Sequence, residues 1–567
     1  MQNDVKKALS QRLKLAEVSE EELFGLMTTP PDLKMGDLTL PCFRLAKALR
    51  KSPVAIAEEL RDRIKEDLPA GVSDVEAVNG YLNFRFDKAA EAKKILTEIL
   101  QKGASYGDSD VGGGKTVCVD YSSINIAKPF HIGHLLTTVI GGSLCKIFDK
   151  LGYKSVGINH LGDWGTQFGK LIVAFKKWCS EEELEKEGMK VLTKIYVQFH
   201  EEAEKDPSLD DEARAWFKKI EDGDPEATRL FSLFKQVTLT EVQKTYERLK
   251  IKFDSYNGES FYNDKMQPVL DRLAKKGLLV ESDGAQVVEL SDYNMPPCLL
   301  VKADGATLYA TRDLAAAYYR KQTYDFCKCL YVVAYQQNLH FKQVFKVLEL
   351  LGEDWAKDMV HVPFGMVSLE DGAMSTRKGK VVLLEDVLNN AVSKSLDIIT
   401  SKNPDLEDKE KVAETVGVGA VIFFALSNNR IKDMVFSYDK VLNFDGETGP
   451  YAQYTATRCK SLLKKIGPYD VGKADYGALA DEASVAVVSD LGKFNETLSS
   501  AAERYEPSIL SRYLIDLCKD FNRFYLNNRI LNEPEGVKEA RANLVYAVKT
   551  VLVEGLRLLG IDAPEKM

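Results

Sequence analysis

His131 and His134 flank Gly133 in the stretch HIGHLLTTVIGGSL, and they are two of only six histidines among 567 residues. Leu135, Leu136, Val139, Ile140, Leu144, Ile147 and Phe148 follow at helical spacing, so the pair sits on the first turn of a helix beginning near 132. Backbone N–H groups at a helix start lack intrahelical partners and face outward with the positive end of the helix dipole, which suits a phosphate. Two imidazoles three residues apart project to one side of that turn. Gly133 leaves room for a nucleotide to approach the backbone. The chemistry implied is hydrogen bonding to an α-phosphate during in-line attack at phosphorus. The competing role is plain helix capping by two polar side chains.

Such a turn has to be held by a sheet. TVCVDYSS alternates like a strand, INIAKPF is a loop, the helix follows, and SVGINH at 155–160 reads as the next strand. Strand, helix and strand with short connections open a nucleotide-binding parallel α/β sheet. GGGKT at 112–116 imitates a phosphate-binding loop, but its first Gly would fall at Ser109 and its Lys-Thr enters a strand instead of a helix. From about 171 to 260 the pattern is helical and strongly charged, as in an insertion; AQVVEL, CLLVKAD, LYVVAY and VVLLE read as returning strands. Ahead of the sheet, an amphipathic start and a Gly36-Asp37 turn lead into a helix carrying Val54, Ile56, Ala57, Leu60 and Ile64. VEAVNGYLNFRFD at 75–87 reads there as a strand with a tight bend. Beyond 445 the pattern is helical to the end, as in a bundle.

A formal net charge of −9 does not point to nucleic acid, though a local basic face can still bind it. Nine scattered cysteines without a C-x2-C pair argue for reduced thiols and against a zinc cage. The start lacks the apolar core of a signal peptide, and GAVIFFAL at 419–426 is too short to span a bilayer, so a soluble cytoplasmic protein without a membrane partner is expected.

VDYSSINIAKPFHIGH, GINHLGDWGTQFGK, DGATLYATRDLAAA, MSTRKG and ETGPYAQYTATR occur in this order. Together they resemble the class I arginyl-tRNA synthetases, and the resemblance extends to the closing LLGIDAPEKM. It implies a Rossmann-type parallel-sheet catalytic domain at 111–445 with its helical insertion at about 171–260. It also implies a small α+β tRNA-contacting domain at 1–110 and an all-α anticodon-binding bundle at 446–567. The implied reaction joins L-arginine and ATP, with Mg2+, to arginyl-adenylate and pyrophosphate, then moves arginine to the 3′ end of its tRNA. A monomer without zinc is implied as well. The alternatives are a class I synthetase for another amino acid, a small-molecule nucleotidyltransferase, and a non-catalytic tRNA-binding paralogue.

Recognising a guanidinium requires a carboxylate, because a bidentate charged pair separates its planar fork from the point charge of lysine. Asp313, four residues after Tyr309, matches the family's position for that task, and Asp120 is the second acidic candidate. Ser123, Asn125, His134 and Gln337 match positions holding the amino and carboxylate end of arginine. His131, Gly133, His134, His160, His340, Met374 and Ser375 match nucleotide-binding positions. MSTRKGK at 374–380 resembles the lysine-bearing KMSKS loop, yet Ala373 and Thr376 stand where that loop has its two lysines. The resemblance makes Lys128, just ahead of the HIGH stretch, the substitute, with Arg377 and Lys378 as local rivals. The implied catalytic set is His131, His134, Lys128 and Lys378. Ile124 replaces a common Pro, and Leu136 a usual Arg. In the tail, the resemblance places Tyr454, Tyr525 and Met567 at the anticodon, whereas Tyr451 reads better as core.

Overall fold

The computed structural model describes residues 2–32, 35–369 and 382–567. They form two compact units, of which Gly107–Thr457, with Asn495–Ile515 and Leu552–Met567, is the larger. Its centre is built from β1 (Thr116–Asp120), α1 (Leu135–Lys150), β2 (Lys154–Ile158), α2 (Pro225–Leu249), α3 (Tyr309–Tyr324), β3 (Lys328–Tyr331), α4 (Asn338–Leu350) and β4 (Met359–His361). The four strands pair in parallel in the order β4-β3-β1-β2, with Cys118 of β1 beside Val156 of β2 and Cys329 of β3. Val117 to Asp120 are all buried, as expected of a strand covered on both faces. The chain runs from β1 outward to β2 and later returns to β1's other side with β3. Such a reversal marks the place, beyond the carboxyl ends of β1 and β3, where α/β sheets bind ligands.

Several sequence readings are refined. The helix after His131 starts as a 3-10 turn, Ile132–His134, before α1. In GGGKT, Gly112–Gly114 form a turn, with the Gly114 N–H donating to the Gly152 carbonyl at 2.8 Å, and Thr116 begins β1. VVLLE was expected as a strand; Leu383 makes only an isolated bridge with His131, and Leu384 begins the helix Leu384–Lys402. Glu385 and Asp386 favour that helix start, and Leu384, Val387, Leu388 and Ala391 bury at helical spacing. AQVVEL and CLLVKAD supply Ala285–Val288 and Cys298–Val301, which join Val280–Ser282 in a separate antiparallel sheet. The charged stretch before β3 forms the helices Gln167–Trp178, Glu181–Glu187, Met189–Ala203 and Ser208–Glu221, then α2.

The second unit comprises Met1–Tyr106, Arg458–Phe494 and Asp516–Val551. Its hairpin joins Val72–Val78 to Tyr81–Phe86 through Asn79 (φ 48°) and Gly80 (φ 81°), the backbone that a two-residue Asn-Gly turn provides. Leu38–Pro41, expected as part of a turn into a helix, is instead a third strand paired with Tyr81–Phe86, because Leu38 and Leu40 bury against the hairpin's core. The helix Pro53–Ile64 is capped by Ser52, whose side chain accepts the Ala55 N–H, and buries Ile56, Ala57, Leu60 and Ile64; Val54 stays exposed. The tail helices Gly449–Ile466, Ser508–Asn527 and Val537–Leu558 each contribute to both units. No disulfide joins any of the nine cysteines. Among the described residues, no cluster of three or more His, Cys, Asp or Glu side chains could hold a metal, and no helix is long and apolar enough to cross a membrane.

Candidate active site

The loop after β1 is held from all sides. Ser122 and Ser123 are left-handed, at φ 69° and 46°, which non-glycine residues sustain only when their surroundings hold them there. The Ser122 N–H donates to Thr137 Oγ1 at 2.9 Å, and the Ser123 hydroxyl donates to Asp120 Oδ1 at 2.8 Å. Further along, Asn125 bridges Gly162 in parallel, and a Cβ on Gly162 would lie 2.3 Å from Asn125 Oδ1. A side chain here would push the Asn125 amide out of its place. The Ala127 N–H is taken by Thr238 Oγ1 of α2 at 3.0 Å, and Lys128 is exposed on the loop.

His131 and His134 do cap the helix. His131 Nδ1 accepts the Gly133 N–H at 3.0 Å, His134 Nδ1 accepts the His131 N–H at 3.2 Å, and the ring centroids lie 4.0 Å apart. This capping also sets the tautomers: with each Nδ1 accepting, the ring proton sits on Nε2. Burial lowers the pKa of both rings, and His131 acting on His134 helps push the latter down to about 3. Both imidazoles are neutral near pH 7, each with one Nε2–H to donate. Residues 374–378, including Met374, Ser375 and Lys378, lie outside the described residues. The chain resumes beside this turn, where the Val382 carbonyl accepts the Ile132 N–H at 3.1 Å and the Leu384 N–H donates to the Phe130 carbonyl at 3.0 Å.

Asp120, at the end of β1, is committed to a residue that sequence reasoning passed over. Arg320 of α3 is 1% exposed and places Nη2 2.7 Å from Asp120 Oδ2. The same Nη2 lies 3.3 Å from His160 Nδ1, and the guanidinium lies over the Tyr331 ring. A guanidinium only donates, so His160 Nδ1 accepts and its proton, too, sits on Nε2; burial keeps this ring neutral. Arg320 stands seven residues after Asp313, on the same face of α3, a helical spacing readable from sequence. Removing it leaves a buried carboxylate unpaired, so Arg320→Met is expected to destabilise the protein by about 3–5 kcal/mol in denaturant unfolding.

Asp313 Oδ2 accepts from His340 Nε2 at 2.6 Å. Burial opposes the charge on Asp313, but the hydrogen bond from His340 and the charges of His340 and Arg320 outweigh it and hold the carboxyl below its usual range. Tyr309, four residues earlier on α3, is 67% exposed, and Gln337 is exposed on the 3-10 turn ahead of α4. A second carboxyl, Glu259, was not anticipated. Burial pushes its pKa up to about 7; Arg312 opposes that rise, while Asp163 and Asp313 add to it. Fully buried Asp163 places this segment: its two oxygens accept the Ser260 N–H and hydroxyl, both at 2.8 Å, and Lys235 of α2 lies at 2.6 Å. Asp163 stands in the quoted GDWG stretch, a signal that was available; nothing in the sequence near Glu259 connects it to Asp313.

In the tail, Tyr454 and Tyr525 are 39% and 38% exposed, and Met567 and Tyr451 are half-buried. Tyr525 has Phe521 stacked behind it and the Arg458 guanidinium over its ring. Leu136, where the family usually has Arg, is buried on α1.

A family model described as "tRNA synthetases class I (R), catalytic domain" matches residues 95–438. The chain belongs to the arginyl-tRNA synthetase family. A model of the family's N-terminal domain matches residues 1–86 of this synthetase, and one of the DALR anticodon-binding domain matches 452–567. Arginine–tRNA ligases of Clostridium beijerinckii and Clostridioides difficile are 53% and 52% identical to it, covering 100% of both chains in each case. The solved arginyl-tRNA synthetase of Thermus thermophilus is 27% identical with a TM-score of 0.77, over 100% of each chain. The Rossmann-type sheet and helical tail are those of this family.

Proposed function

We infer that this chain activates L-arginine with ATP and transfers it to the 3′ end of its tRNA. The observation that carries this reading is Asp313, an ionised carboxylate with one oxygen fixed by His340 and the other available, in the same unit as the paired imidazoles. Asp313 and Glu259 take the guanidinium, with the exposed Tyr309 ring beside Asp313. Ser123, Asn125, Gln337 and Asp120, turned by Arg320, receive the amino and carboxylate end. The arginine carboxylate attacks the α-phosphorus of ATP, which enters as its magnesium complex; a carboxyl-phosphate bond forms, the α–β bridge breaks, and pyrophosphate leaves. His131 and His134 donate their Nε2 protons as hydrogen bonds to the phosphate oxygens, joined by His160, while Gly133, whose N–H already goes to His131 Nδ1, leaves the nucleotide room by having no side chain. Chain groups here position and stabilise charge and make no covalent bond. The leaving group needs a cation: exposed Lys128 serves, and the Val382 tether beside His131 supports Met374, Ser375 and Lys378 as its companions. The tRNA 3′ hydroxyl then attacks the acyl carbon, and AMP leaves. Domains at 1–110, 111–445 and 446–567 divide the work, with Tyr454, Tyr525 and Met567 at the anticodon, where exposed rings stack on splayed bases. Charging total tRNA with each labelled amino acid in turn tests the reading; incorporation of any residue but arginine overturns it.

Glu259 makes arginine binding depend on pH. With its pKa near 7 in the free enzyme, a guanidinium favours the ionised form, so binding displaces a proton below that value. The KM for arginine should fall as pH rises through about 7 and level off above it. Titration calorimetry in two buffers of different ionisation enthalpy should show proton release below pH 7 that Glu259→Gln abolishes. Equal heats in both buffers would count against Glu259 as a ligand.

A further inference from the structure

The residue that most directly holds the strained loop after β1 belongs to none of the groups assigned above. Tyr246, on α2, is 1% exposed. Its hydroxyl accepts from Asn159 Nδ2 at 2.9 Å and lies 2.7 Å from Ser122 Oγ; Ser122 Oγ lies 2.9 Å from Thr138 Oγ1, itself 2.7 Å from the His134 carbonyl. The amide N–H only donates and the carbonyl only accepts. The Thr138 hydroxyl faces both Ser122 Oγ and the His134 carbonyl as donor, while the Tyr246 and Ser122 hydroxyls share the bond between them. One continuous chain of hydrogen bonds crosses from the end of β2 through α2 and the loop to α1, and it ends on the HIGH turn.

We propose that the Tyr246 hydroxyl is a positioning group for the amino-acid end of the site. It holds Ser122 in its left-handed conformation, and so aims Ser123 at Asp120. The proposal rests on the reading that this end of the site receives arginine. Without the hydroxyl, Asn159 and Ser122 lose a buried partner, and the Ser122–Ser123 turn relaxes toward ordinary backbone. The Tyr246 ring packs edge-on against Phe130 and Phe253, with centroids at 5.5 and 5.0 Å, contacts that phenylalanine preserves.

Tyr246→Phe is the test, read by ATP–pyrophosphate exchange with tRNA present and with arginine and ATP varied separately. The KM for arginine is expected to rise about tenfold, with the KM for ATP changed less than about twofold. A merely structural role moves both constants together or neither, and either result overturns the proposal. Ser122→Ala should give the same arginine-selective rise, and the double variant should be no worse than the single ones, since one chain of hydrogen bonds is being cut twice. Multiplying effects would overturn it, and Ser122→Ala decides the matter if the Tyr246 variant folds poorly. If the wild-type enzyme exchanges pyrophosphate with another amino acid, the functional reading fails, and the same comparison made with that amino acid still decides the role of Tyr246.

Discussion

Asp313→Asn is expected to raise the dissociation constant for arginine by about 10²-fold or more while leaving ATP affinity within about twofold. Asparagine keeps the size of the side chain and can still meet His340, but it presents a neutral amide where a guanidinium requires a charge. His340 Nε2 already holds Oδ2 at 2.6 Å, so the site spends one oxygen on orientation and the other on the ligand. The cost is that of desolvating a cation without its counter-charge, which Glu259 offsets only in part. Calorimetric titration of arginine, then of ATP, measures both halves. Unaltered arginine binding would remove Asp313 from the guanidinium pocket.

His134→Ala is expected to cut the rate of adenylate formation by about 10²–10³, the usual consequence of deleting one preorganised donor to a developing phosphate charge. His134 also accepts the His131 N–H, so its loss costs about 1 kcal/mol as a helix cap. The two roles separate experimentally. His134→Gln can reach back to the same N–H, as Gln does at the third position of a capping box, and should restore the melting temperature without restoring the rate. Recovery of both would reduce His134 to a cap.

The comparison between the two histidine roles illustrates how far residue patterns carry. The spacing of His131 and His134 posed capping against phosphate binding as alternatives. The structure shows that capping uses Nδ1 and thereby frees Nε2–H for a phosphate, so one role sets up the other. The family resemblance pointed to Asp313 and Tyr309, which the structure puts four residues apart on α3, while Arg320, seven residues on, carried no such mark. VVLLE misled because a short apolar run is equally a strand or a helix start; the acidic pair Glu385-Asp386 and the bridge from Leu383 to His131 settled it.

Local order was therefore written in the chain itself: the strand, loop and helix around HIGH, the Asn79-Gly80 hairpin and the helical tail follow from periodicity and turn chemistry that act over a few residues. What depended on tertiary structure was every pairing across distance. Asp120 was free on paper and proved committed to Arg320, 200 positions away; Glu259 drew near Asp313 through Asp163; Tyr246 of the insertion reached Ser122. Burial decides which charges must find partners, and only the packed sheet with its insertion determines which groups are buried together.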